Sequence, residues 1–474
     1  MGAPDPERIP EPIETLRPRL LKTAPVDPPA LGSAADWLAT LPDAAFAALR
    51  LAAPRRRPLI QPRGGFARFE DQRRLTMALA DAGADFVPLT IDSHTRHNDY
   101  ETAAVLLERS ELEDANLLNG YPLVNHGHDV SRGLYRDLHR PVSLRHGTPD
   151  ARLLVEIALA TGITEIEGGA LTYTLPYTRG YPLARALMNW QYVDRLCALH
   201  STPTRPIHRE SFGVLTATLV PPVLVAAIEL CELLLAAEQG VRSFAVSFAQ
   251  TGSLLQDMAL AKVLREAAVD YLARFGFEKI AVHLVYHQWM GAFPHDYERA
   301  AALIAAAAQT AALVGADKVV TKTKEEARGI PSTETNCEAV RLVRYVLDHA
   351  VLPTPLGSSA VEIEAARIRR GLDALIDAIV ALPPPEFWRS IALAFERGLI
   401  DVPFAPHEAN ANRLITRRGY ADGIYVDDPG GVPLPPDVLA EERAALSARA
   451  APPGETLFAG LMHDILLMAA ETRP

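Results

Sequence analysis

Cysteine is scarce: three in 474 residues (Cys197, Cys231 and Cys337), with no CxxC pair and no Cys/His ligand spacing. That excludes a disulfide framework and a cysteine-built zinc site, and it fits a reducing cytosol. Basic charge is short as well. With 47 Lys+Arg against 58 Asp+Glu and a net charge of −11, nucleic acid is a poor main partner. Long uncharged apolar runs are missing too. Glu229 and Glu232 interrupt the stretch 219–237, and 300–316 is mostly alanine, so both read as buried helices rather than membrane spans. Met1 leads into a Pro- and Glu-rich segment with no basic n-region and apolar h-region, so no signal peptide is expected. A soluble, cytoplasmic chain with a sizeable core is what these absences leave.

What is there is a rhythm. From Pro58, short β-rich runs alternate with helical patterns: 58–63, 84–92, 116–122, 141–146, 163–169, 206–211, 243–248, 279–286 and 318–323. Strands alternating with helices predict parallel strands and right-handed crossovers. Roughly 270 residues of such units match a (β/α)8 barrel in size. Nine candidate strands are one too many, with 163–169 and 206–211 the weakest. An open doubly wound sheet is the alternative, but it gathers its ligand at one switch point, whereas candidate residues here follow nearly every strand. The expected organisation is an N-terminal arm with short helices (1–54), the barrel (55–335) and a mainly helical C-terminal region (336–474).

Three arginines stand just past predicted strand ends: Arg63 in QPRGGF, Arg96 in TIDSHTRHND and Arg145 in SLRHGTPD. Glu167, Tyr173 and Tyr177 follow in IEGGALTYTLPYTRGYP. A single arginine after a strand is ordinarily a surface or salt-bridge residue. Three at the active-site face of a barrel form a cluster that calls for an anion. The guanidinium fork grips a carboxylate by two hydrogen bonds, and Glu167 can pair with an ammonium or take its proton. The expected ligand is a small dianion carrying one amine. Gly168 and Gly169 are expected to allow close backbone approach to that ligand. Lys322 and Glu326, four apart, read either as a surface ion pair or as a pair reaching sugar hydroxyls. HQWMGAFPHD (287–296) reads as a wall for a flat ligand or as a buried cap. HGHD (126–129) lacks a third metal ligand, and no metal site is expected.

Taken together, QPRGG, TIDSHTRHN, LLNGYPLVNHG, RHGTPDARLL, EGGALTYTLPY, RESFGVLTATLVPP, LLAAEQGV, HQWMGAFP, KTKEEARGIP and DVPFAP resemble, in order and approximate spacing, the large (epsilon) subunit of adenosylcobalamin-dependent glutamate mutase, also called methylaspartate mutase. The resemblance runs from about residue 55 to the C-terminus. It implies a TIM-type barrel and reversible rearrangement of L-glutamate to (2S,3S)-3-methylaspartate by a radical mechanism. It further implies that Arg63, Arg96 and Arg145 form a carboxylate claw with His146 beside it. Glu167 corresponds to the residue that binds the substrate amine and acts as base, with Tyr173 and Tyr177 as substrate contacts. Gly65, Asn119, Pro176 and Phe293 match positions near the corrin or adenosyl group, and Lys322, Glu326 and Ile330 match positions near the adenosine. Gly64, Phe66, Thr172, Lys324 and Arg328 depart from the family pattern nearby.

Cobalamin proteins of this type ligate cobalt through the histidine of a D-x-H-x-x-G motif. Here Asp92-Ser93-His94 comes nearest, but His97 stands where the glycine belongs. The resemblance therefore implies a separate small cobalamin-binding subunit, and a homodimer of this chain within a heterotetramer. Competing expectations are a mutase of the same mechanism on another small acidic substrate, and a cobalamin-independent barrel lyase or binding subunit.

Overall fold

Parallel strands need crossover connections, and here helices supply them. In the computed structural model, residues 13–22, 24–26, 28–213, 219–277, 279–349, 358–383, 386–449 and 455–469 are described. Eight strands form one parallel sheet: β1 (Leu59–Gln61), β2 (Val87–Thr90), β3 (Val142–Arg145), β4 (Glu165–Glu167), β5 (His208–Glu210), β6 (Ser243–Ala249), β7 (Ala281–His287) and β8 (Lys318–Val320). Their order is β1-β8-β7-β6-β5-β4-β3-β2, so β1 and β2 meet at the seam. The N–H groups of Asp85 and Phe86 donate to Ile60 O at 2.8 and 3.1 Å, and Thr90 N–H donates to Gly64 O at 3.1 Å. This nearly closes a (β/α)8 TIM-type barrel.

The surplus strand of the sequence count is 116–122. Only Tyr121 pairs, as an isolated parallel bridge to Ile91. A Cβ on Gly120 would lie 2.6 Å from Asp92 N, so the chain presses against the exit of β2 instead of extending beside it. The two weakest candidates, 163–169 and 206–211, are true strands. Consequently Arg145 ends the third strand, not the fourth.

The helix Pro222–Glu238 is buried along all but its last residue, and Tyr297–Leu313 is the alanine-rich helix before β8. Among the described residues no helix is long and apolar enough to cross a membrane. All three cysteines are free and buried. The N-terminal helix Ile13–Leu21 is tied to the helix after β3 by Arg17 Nε donating to Glu156 Oε2 at 2.8 Å; residues 1–12 lie outside the described residues. Past β8 the helices Thr333–His349, Ser359–Val380 and Phe387–Glu396 follow. An antiparallel hairpin then appears, β9 (Ile415–Arg418) with β10 (Ile424–Asp428), which helical patterning did not foresee. Gln256, on the helix after β6, donates to Glu364 Oε1 and Ile424 O and accepts from Ile424 N–H, which fastens the C-terminal region to the barrel.

Candidate active site

Side chains alternate along a strand, so residues two apart share a face. In β4 and β5 that face carries Glu165, Glu167, His208 and Glu210; in β8 it carries Lys318. Lys318 Nζ lies 2.5 Å from Gln61 Oε1, 2.6 Å from Glu165 Oε1 and 2.5 Å from Glu210 Oε2. Because β8 and β4 are not neighbours in the sheet, the contact with Glu165 crosses the barrel lumen. The floor of the site is an ionic layer, where such barrels usually hold branched apolar side chains.

Above it, Arg145 is 3% exposed and Glu167 1% exposed. One terminal nitrogen of Arg145 pairs with Glu167 Oε1, and the other lies 3.6 Å from Glu210 Oε1. No guanidinium nitrogen of Arg145 has a hydrogen bond of good geometry, which leaves its donors available to a ligand. Burial opposes the Arg145 charge, but Glu167 and Glu210 outweigh it and raise its pKa. Glu167 goes the other way: burial raises its pKa, and neighbouring Glu210 adds to this against the pull of Arg145. Tyr173 donates its hydroxyl to Glu167 Oε2. His146 is edge-on to Tyr173 with centroids 4.8 Å apart, and it stacks on Trp190 at 5.8 Å. Burial and the charges of Arg96 and Arg209 keep its imidazole neutral, far below the usual range.

Arg96 does not directly follow a strand. It ends a short helix, Ser93–Arg96, and its Nε donates back to Ile91 O at 2.7 Å. Burial lowers its pKa, and the nearby Arg63 charge contributes to that lowering. Arg63, just past β1, is half-buried, with Nη1 3.9 Å from Met290 Sδ. Among the described residues it has no carboxylate within ion-pair distance, although its charge acts on Glu167, Tyr177, Lys322 and Glu326. Tyr177 sits 6.2 Å from Tyr173, ring to ring.

A second group joins the first through Arg63. Lys322 Nζ pairs with Glu326 Oε2 and lies 6.0 Å from the Phe293 ring centroid. Residues 324–328 form a turn, not a helix, so the pair is a local clasp. Burial lowers the Lys322 pKa to about 8. Gly65 and Ile330 line a cleft of about 580 Å³ with Leu118, and Ile330 is 64% exposed. Asn119 Oδ1 is occupied by Ser93 N–H at 2.8 Å, and Pro176 lies half-buried on the turn between the two tyrosines. Lys324 and Arg328 are tied to Glu338 and to Tyr297 and His295, respectively.

Gly168 and Gly169 have a different use from the one expected. A Cβ on Gly168, whose φ is +108°, would strike the Tyr173 ring and come within 2.8 Å of Trp190. One on Gly169 would run into the Glu232 carboxylate, which accepts from the N–H groups of Leu171 and Thr172 at 2.8 and 3.0 Å. The glycines therefore make room for protein side chains. Glu232, one of the two charges interrupting the apolar stretch, anchors the turn that carries Tyr173.

HGHD is no cluster. His126 stacks on Tyr121 and faces Ala67 O, while His128 faces Asp129. Buried groups with potential metal-ligand spacing do occur, Glu165–His208–Glu210 and Glu167–Glu210–His287. Lys318 and Arg145 already supply positive charge within them. Sequence reasoning missed Glu210, His287 and Lys318. For His287 and Lys318 the signal was an imidazole or charged side chain in the largely apolar strands β7 and β8; β5 is polar throughout, so Glu210 had no such contrast.

Over residues 41–471 the sequence matches the family model described as methylaspartate mutase E chain (MutE). A glutamate mutase epsilon subunit from Yersinia enterocolitica is 41% identical over 412 residues, 86% of this chain and 85% of that protein. One from Haloarcula marismortui is 41% identical over 394 residues (83% and 80%), and one from Treponema denticola 37% over 449 residues (94% and 93%). With the barrel and its ionic mouth in place and the match running nearly end to end, the chain belongs to the methylaspartate mutase E chain family of isomerases.

Proposed function

We propose that this chain is the large subunit of a coenzyme-B12-dependent mutase interconverting L-glutamate and (2S,3S)-3-methylaspartate by a radical mechanism. The buried Arg145–Glu167 pair at the barrel mouth carries the proposal. By formal charge, the buried layer holds three carboxylates (Glu165, Glu167, Glu210) against two cations (Arg145, Lys318). A substrate ammonium beside Glu167 supplies the missing charge. Arg63, Arg96 and Arg145 fork the substrate carboxylates and hold them still while a carbon–carbon bond is exchanged. Tyr173 orients Glu167, Tyr177 closes the rim, and neutral His146 packs beside the claw. The name glutamate mutase, carried by the relatives, supports this substrate class.

Adenosylcobalamin, when bound, supplies radical chemistry through homolysis of its cobalt–carbon bond. The residues present fit it. Gly65 lines the cleft beside Ile330, and Lys322 with Glu326 offers a donor and an acceptor to ribose hydroxyls. Phe293, Ile330, Asn119 and Pro176 complete that side. A cobalt ligand from this chain does not fit as well. Asp92 Oδ1 caps His94 N–H and Thr95 N–H, and His94 Nδ1 faces Asp99 instead of Asp92. A small subunit bearing D-x-H-x-x-G supplies that ligand, on a homodimer of this chain in a cytoplasmic heterotetramer. The barrel, 55–335, carries the site, flanked by 1–54 and 336–474.

The test is reconstitution: this chain, a small cobalamin-binding subunit from the same genome, adenosylcobalamin and L-glutamate, with methylaspartate detected by chromatography. Product that requires every component supports the proposal. A corrin spectrum that reports a formed complex, with no methylaspartate, overturns the substrate.

A further inference from the structure

Glu167 and Glu210 are register partners on adjacent strands, both inward and both buried. Two carboxylates so placed repel, and each is costly to bury without a cation. Two cations answer them differently. Arg145 meets Glu167 with one terminal nitrogen and approaches Glu210 with the other, at 3.6 Å. Lys318, with no exposed surface, holds Glu210 from the far wall of the barrel at 2.5 Å. Among the described residues the only other ionisable side chain within ion-pair distance of Glu210 Oε1 is His287, at 3.9 Å, and burial keeps that imidazole neutral.

We propose that Glu210 and Lys318 are a positioning pair for Arg145. The Lys318 ammonium fixes the Glu210 carboxylate on the barrel axis, and that carboxylate fixes the guanidinium fork. This rests on the functional proposal above and deepens it. Glu167 exchanges partners when a substrate ammonium arrives, so it is a poor permanent anchor for Arg145. Glu210 lies one strand further on, fully buried, and its charge acts on Arg145 at 3.6 Å, without a hydrogen bond that a ligand would have to displace. Burial raises the Glu210 pKa against the pull of Lys318, which is why the lysine is needed to keep the carboxylate charged. Specificity for a dianion thus reaches one layer below the residues that touch it.

The experiment is calorimetric titration of the full chain with L-glutamate and with glutarate, which has both carboxylates and no amine. E210Q is nearly isosteric and leaves Lys318 with Glu165 and Gln61, at 2.6 and 2.5 Å. Loss of the anchor should weaken both ligands alike, by roughly tenfold or more, because a fork displaced by about 1 Å forfeits its geometry. E167Q should instead weaken L-glutamate more than glutarate. K318M should mimic E210Q, and the double variant should be no worse than either single one, since lysine acts through the glutamate. A merely structural pair would lower the unfolding midpoint without this ligand pattern. E210Q and K318M chains that bind glutarate like wild type overturn the pair alone. A wild-type chain that takes up neither ligand overturns the acidic-substrate proposal, and the pair with it.

Discussion

Replacing Arg145 by lysine separates charge from shape at the centre of the site. The residue is 3% exposed and faces two carboxylates, Glu167 and Glu210. Lysine keeps one positive charge there, so neither carboxylate is stranded and stability should fall by less than the roughly 3–5 kcal/mol that an unpaired buried charge costs. What lysine cannot do is present two parallel N–H groups to a substrate carboxylate. Charge-assisted hydrogen bonds contribute roughly 1.5–3 kcal/mol each, and one of two is lost. At about 1.4 kcal/mol per factor of ten, kcat/KM should fall roughly 10- to 150-fold. R145M marks the other limit, because removing the cation leaves the buried Glu167 carboxylate unpaired at a cost of about 3–5 kcal/mol. The assay is methylaspartate formation by the reconstituted complex, with denaturant midpoints measured on each variant. R145K with wild-type kcat/KM would refute the claw. R145K as unstable as R145M would make the guanidinium a structural brace.

Two further outcomes follow from the same geometry. E167Q removes the carboxylate proposed to meet the substrate ammonium, so substrate affinity or hydrogen transfer should collapse while the corrin spectrum of the complex stays that of wild type; loss of the corrin signal would make Glu167 structural. Lys322 titrates near 8 in the fold, below its ordinary 10.5, so its ammonium is present below that pH and lost above it. Affinity for adenosylcobalamin should therefore fall between roughly pH 7 and 9, a unit either side of that value, and K322R should flatten the profile because guanidinium stays charged. A wild-type profile without that inflection would place Lys322 outside cofactor binding.

The alternation of strand and helix was legible because burial on both faces of a parallel strand leaves a short apolar run bounded by turns. The same local rule misread 116–122, where Asn119-Gly120 and Pro122 were turn signals beside a short apolar run, and the close approach at Gly120 confirms that the chain turns there. The hairpin Ile415–Asp428 was readable in ITRR and IYVDD around a glycine-bounded turn, between irregular flanks that carry no helical pattern. Arg63 and Arg145 were legible as residue types at strand ends, whereas Arg96 ends the short helix Ser93–Arg96.

Sequence alone therefore determined the barrel, the placing of Arg63 and Arg145 at strand ends and, by family resemblance, the expected chemistry. All of these rest on local periodicity or on ordered motifs. Tertiary structure decided which charges face one another. Lys318 meets Glu165 and Glu210 across 153 and 108 residues of chain, and Glu232 reaches 61 residues back to Leu171. No local pattern encodes such pairings, because only closure of the sheet brings the far strands to one axis.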